Sequence, residues 1–164
     1  MSIPQSGGGP IEHHDQLAQY LADGCKPKED WRIGTEHEKF GYIKDTLEPL
    51  PFEGKQSIVA VLEGLRDRYG WSEVREGGHL TGLELNGANV SLEPGGALEL
   101  SGAPLETIHG TCDEVNDHLR QVKDISDEIG VGFIGLGAAP TWMHEDMPLM
   151  PKGRYKLMDA YMGK

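Results

Sequence analysis

Leu105, Ile108, Cys112, Val115, Leu119, Val122, Ile125 and Ile129 step by three or four residues throughout, the spacing of one helix face. The stripe covers about seven turns at 3.6 residues per turn. Pro104 suits the first turn and Gly130 the C-terminal cap. A second helix is predicted over Ser57 to Tyr69, where Ile58, Val61, Leu62 and Leu65 share a face and Gly70 follows. Ile11 to Ala22 predicts a shorter amphipathic helix, with Leu17, Tyr20 and Leu21 on one stripe and Gly24 at its stop. Tyr155 to Met162 predicts the start of another.

Strand patterns fall between these helices. Leu80 to Leu85 and Ala88 to Glu93 flank Asn86-Gly87, a dipeptide suited to a two-residue hairpin turn. Leu83, Leu85, Val90 and Leu92 then share the buried face. Pro94-Gly95-Gly96 bends or breaks the run, and Ala97 to Leu100 resumes it. Trp31 to Tyr42 and Val131 to Leu136 predict further strands, the latter of buried type. The fold class expected is α+β, an antiparallel sheet with helices packed on one face. Residues 1–10 are expected to be a flexible arm and residues 11–164 part of a single domain. Met162-Gly163-Lys164 falls inside the last helix pattern, and the sheet implied has few strands and open edges. Both features suggest a piece of a larger domain.

Composition narrows the partners. The 164 residues carry a formal net charge of -12, which argues against nucleic acid or an anionic membrane surface as main partner. It does not exclude ATP, because metal ions can supply positive charge. No apolar run approaches the ~20 residues of a membrane span. The first ten residues lack the basic and apolar blocks of a secretory signal, so a cytoplasmic location is expected. Cys25 and Cys112 form no metal-site spacing and are expected as free thiols, Cys112 in the core.

The chemistry-bearing residues are mainly acidic. Glu36 and Glu38 sit two apart and project from one strand face, with His37 pointing the other way. Adjacent carboxylates repel unless a cation or proton lies between them, and Mg²⁺ is the usual hard cation for oxygen ligands. Taken alone, the pair reads as the solvated face of an edge strand. Glu93 and Glu99 flank Pro94-Gly95-Gly96. Their even spacing puts both on one face if the glycines only bend the strand, and a full turn could still set them on the same side of a hairpin; alone, they read as turn and surface residues. Met150-Pro151-Lys152-Gly153-Arg154-Tyr155 is a short cationic stretch at a helix start, where Lys152 or Arg154 could hold a carboxylate or phosphate. An ordinary loop is the alternative. Gly132-Phe133-Ile134-Gly135-Leu136-Gly137 matches no nucleotide-loop spacing and reads as a packed strand. His13 and His14 are expected at the surface, and Trp142 either lines a pocket or packs.

These segments together resemble the plant and proteobacterial type of glutamate–cysteine ligase. The matching stretches are Gly34-Thr35-Glu36-His37-Glu38-Lys39-Phe40-Gly41, Ser91 to Gly96, Glu99 to Thr107 and Met150 to Tyr155, in order and in spacing. The resemblance implies a partial glutamine-synthetase-like funnel, an antiparallel sheet whose acidic residues hold Mg²⁺ around ATP. It implies metal binding by Glu36, Glu38, Glu93 and Glu99, a catalytic and substrate-binding role for Arg154, and substrate binding by Lys152. Cys112 matches a cysteine that joins a regulatory disulfide in plant members, with a partner beyond Lys164. The implied reaction joins the glutamate γ-carboxylate to the cysteine amine through a γ-glutamyl phosphate, the first step of glutathione biosynthesis. A related ligase with another amine acceptor, or a non-catalytic fragment, stands as the alternative. Members of the family are much longer.

Overall fold

The computed structural model describes residues 9–162, and among these six strands form one sheet. The elements run α1 (His14–Asp23), β1 (Glu36–Ile43), α2 (Ile58–Tyr69), β2 (Ser72–Glu76), β3 (His79–Leu85), β4 (Ala88–Leu92), β5 (Leu98–Ser101), α3 (Ile108–Ile129), β6 (Val131–Ile134) and α4 (Gly153–Met162). Their order across the sheet is β2-β3-β4-β5-β1-β6, and every pairing is antiparallel. The α+β expectation holds. The expected arm at residues 1–10 lies, but for residues 9 and 10, outside the described residues.

Alternation makes one sheet face greasy. Leu83, Val90, Leu92, Leu98 and Leu100 are buried against Ile58, Val61, Leu62 and Leu65 of α2 and Val122 and Ile125 of α3. The β3–β4 hairpin turns at Asn86-Gly87, both with positive φ (51° and 87°), as the dipeptide requires. Ser57 caps α2, its hydroxyl accepting from the Ala60 amide at 3.1 Å, and Gly70 ends it in the left-handed region.

Several expectations change. The third helix begins at Ile108, not at Pro104, because Thr107 serves as N-cap and its hydroxyl accepts from the Gly110 amide. Leu105 stays outside, bridged to Ile33. The apolar stripe of α3 is only partly used. Val122 and Ile125 are buried with Thr111, His118 and Ser126, whereas Ile108, Cys112 and Leu119 face outward. Cys112 is thus exposed rather than core, because the helix is rotated so that His118 faces the sheet. The first strand starts at Glu36, and Trp31 precedes it beside a single 3-10 turn. β2 has no counterpart in the sequence reading: Ser-Glu-Val-Arg-Glu is too polar to show a buried face, as befits an edge strand. α1 forms as expected, yet Leu17, Tyr20 and Leu21 are all exposed.

Candidate functional site: an acidic sheet face beside a cationic helix start

The face opposite the helices gathers the acidic residues. β1 and β5 pair so that Glu38 stands directly across from Glu99, and Glu36 across from Ser101. β4 and β5 place Ser91 on the other side of Glu99. Directly opposed residues share a face, so Glu38, Glu99 and Ser91 form one cross-strand row. The adjacent row is Glu36, Ser101 and Asn89. His37 pairs with Leu100 and lies on the helix side, as its parity requires.

Pro94-Gly95-Gly96 makes a full turn rather than a bend. The Glu93 amide donates to the Ala97 carbonyl at 2.8 Å, and the Gly96 amide donates back to the Glu93 carbonyl at 3.0 Å. Gly95 and Gly96 both have positive φ, and a Cβ on either would run into Met147 or Ile58. Glycine is therefore required twice over, by conformation and by close approach. The turn returns the chain so that Glu93 and Glu99 sit on the same face of one hairpin.

Burial and mutual repulsion act on this pair. Burial, then the neighbouring Glu99 carboxyl, push Glu93 above the usual carboxylate range, while Lys152 and Arg154 pull it back. Glu99 is only 4% exposed and accepts from the Ser91 hydroxyl at 3.0 Å. Ser91 had no assigned role in the sequence reading. Its position two residues before Glu93, on the same strand face, was the available signal.

The start of α4 docks against this hairpin. The Gly153 amide donates to the Glu76 carboxylate at 2.7 Å, placing negative charge at the helix N-terminus. Arg154 comes within 3.7 Å of Glu93 and lies 5.1 Å from the Tyr155 ring centre. The Tyr155 hydroxyl is 2.9 Å from the Leu92 carbonyl and 3.3 Å from Glu93, and burial pushes its pKa up to about 12. Lys152 is buried, its ammonium donating to the Leu92 carbonyl at 2.6 Å. Burial, then the Arg154 charge, bring its pKa down to about 8. Glu93, Glu99, Lys152 and Arg154 are thereby gathered around one hairpin end, with Glu38 across from Glu99 on β1. Glu36 and Glu38 are both exposed, and Glu36 lies two residues further along β1.

Among the described residues, no three His, Cys, Asp or Glu side chains converge into a group that could hold a metal ion alone. The donor set still fits Mg²⁺. It consists of carboxylate and hydroxyl oxygens, and Mg²⁺ is commonly held by one or two carboxylates with phosphates and water completing its shell. The raised Glu93 carboxyl also marks a place where an added cation relieves repulsion.

Glutamate-cysteine ligase family 2 matches residues 32–164. A chloroplastic glutamate–cysteine ligase A of Oryza sativa subsp. japonica is 53% identical over 150 residues, covering 92% of this chain. The chloroplastic glutamate–cysteine ligases of Medicago truncatula and Arabidopsis thaliana are each 52% identical over 155 residues, covering 94% of it. The chain spans about 30% of the length of these relatives. Their chloroplastic designation overturns the cytoplasmic expectation, which rested on the lack of a secretory-type start and so addressed export alone.

Proposed function

The chain belongs to glutamate-cysteine ligase family 2, and from that membership and the acidic face we propose that it supplies a metal–nucleotide wall of an ATP-dependent glutamate–cysteine ligase. The proposed reaction joins the γ-carboxylate of glutamate to the amine of cysteine, the first step of glutathione biosynthesis. The observation that carries the proposal is the cross-strand pairing of Glu38 with Glu99, beside Glu93 and Arg154.

Glu38, Glu93 and Glu99 would hold Mg²⁺, with Glu36 at the margin of the site. Bound there, Mg²⁺ would neutralise the ATP phosphates and favour transfer of the terminal phosphoryl group. In that transfer the γ-carboxylate of glutamate attacks the terminal phosphorus and ADP leaves. The cysteine amine then attacks the acyl carbon and phosphate departs. No protein nucleophile is needed, so positioning and charge are what the chain contributes. Arg154, anchored by Tyr155 and Glu93, is aimed to bind a carboxylate or phosphoryl oxygen through its remaining donors. Lys152, tied to the Leu92 carbonyl, adds positive charge beneath the Glu93–Glu99 hairpin and substrate binding through that charge. Ser91 fixes the orientation of Glu99.

Incubation with Mg²⁺, ATP, glutamate and a panel of amines tests the proposal, with phosphate release and product mass as readouts. γ-Glutamylcysteine is the expected product. Faster turnover with a different amine would reassign the acceptor. Binding of Mg²⁺-ATP without phosphate release for any amine would confine the role of this chain to nucleotide binding.

A further inference from the structure

The alternation of β1 that sends Glu36 and Glu38 to the open face sends His37 and Lys39 to the helix side. There they face His118 of α3, whose proton affinity is lowered by burial first and then by Lys39 and His37. Lys39 is 2% exposed. Its ammonium has His37 Nδ1 at 3.5 Å, and among the described residues no carboxylate forms an ion pair with it. A buried ammonium without a counter-charge is costly.

Beside Lys39 a cavity of about 430 Å³ opens between β1, β6 and α3. Lys44 and Lys123 also line it, and both pair with Asp127. Three lysines therefore face one carboxylate, a local excess of positive charge in a chain of net charge -12. Ser126 lines the same cavity; it is 4% exposed, and its hydroxyl has no hydrogen-bond partner. Buried hydroxyls are nearly always satisfied, so an unpaired one pointing at a cavity marks a place where a ligand or water belongs. The rest of the wall is apolar, chiefly Leu119, Val122 and Phe133. None of these residues belongs to the acidic face.

We propose that this cavity is a binding site for a small organic anion, one oxyanion group on a short apolar body. The oxyanion takes the Lys39 ammonium and the Ser126 hydroxyl as donors, with Lys123 at the rim. The apolar body lies against Val122 and Phe133. A carboxylate and a phosphate share this chemistry, and two probes distinguish them.

The test is titration calorimetry of the full chain with benzoate, phenyl phosphate and, as neutral control, benzyl alcohol. At least one of the two anions is expected to bind, and benzyl alcohol is not. Lys39→Met and Lys123→Gln are each expected to weaken anion binding, the former by about tenfold, as loss of one charged hydrogen bond implies. Lys123 is exposed, so its substitution carries the test if Lys39→Met fails to fold. Saturating Mg²⁺-ATP is expected to leave the affinity unchanged. Equal binding of benzyl alcohol, no binding of either anion, unchanged affinity in the variants, or displacement by Mg²⁺-ATP would each overturn the proposal.

Discussion

Glu38 and Glu99 are direct cross-strand partners, on adjacent strands that come together from opposite sides of α2 in the sequence. Cβ atoms of such partners lie about 5 Å apart. Their side chains leave one sheet face side by side, within reach of a single divalent cation, which takes oxygen ligands. The Glu38–Glu99 register is thus a structural reason to expect a cation-dependent ligand on this face.

Glu93 should make the free protein pH-sensitive. Its folded-state pKa is raised, mainly by burial and then by Glu99. The folded state therefore binds a proton more readily than the unfolded one above the ordinary value of 4.5. Its stabilising share is present below that value and is lost as pH rises through the folded pKa. Glu93→Gln is expected to raise the melting temperature at pH 7, with the gain shrinking as pH falls towards 4.5. Thermal denaturation at both pH values checks this, without Mg²⁺.

His118 has the opposite sign. Burial, then Lys39 and His37, bring its pKa down to about 3, and neither ring nitrogen has a partner. The unfolded state takes up a proton near pH 6.5 that the folded state refuses. Stability is therefore full above pH 6.5 and is lost as pH falls from there towards 3. His118→Phe is expected to stabilise by about 1–3 kcal/mol, because it removes an unsatisfied buried polar group beside the Trp71 ring. It should also flatten the decline in stability between pH 6.5 and 5. Urea denaturation across that range measures both.

α2 and α3 approach closely at Gly64, where a Cβ would stand 2.6 Å from Cγ2 of Ile125. Gly64→Ala is expected to destabilise by about 1–3 kcal/mol despite the better helix propensity of alanine. In an Ile125→Ala background, which removes Cγ2, Gly64→Ala should cost less than it does alone. Denaturation midpoints of the three variants read this out.

The sequence was most legible where periodicity and turn chemistry agreed. Leu83, Val90 and Leu92 alternate around an Asn-Gly turn, and Ile58, Val61, Leu62 and Leu65 repeat between a serine cap and a glycine stop. It was least legible where tertiary contact decided. The α3 stripe contained more apolar positions than the sheet covers, so neither the burial of His118 nor the exposure of Cys112 could be read from spacing. β2 was missed because an edge strand needs little apolar sequence. At the site, strand parity foretold that Glu36 and Glu38 share a face away from His37. It could not give the register that sets Glu38, and not Glu36, beside Glu99, because that depends on pairing across more than sixty residues of chain. The roles of Ser91, Glu76 and Tyr155 rest likewise on long-range contacts.

The most direct measurement is calorimetric titration of Mg²⁺-ATP into the chain and its Glu38→Gln, Glu99→Gln and Glu84→Gln variants. Glu84 is an exposed carboxylate of β3 outside the Glu38–Glu99 row. Saturable, Mg²⁺-dependent binding is expected, weakened about tenfold or more in Glu38→Gln and in Glu99→Gln and little changed in Glu84→Gln. Equal affinity in all four proteins, or binding indifferent to Mg²⁺, would contradict a metal–nucleotide role for this face.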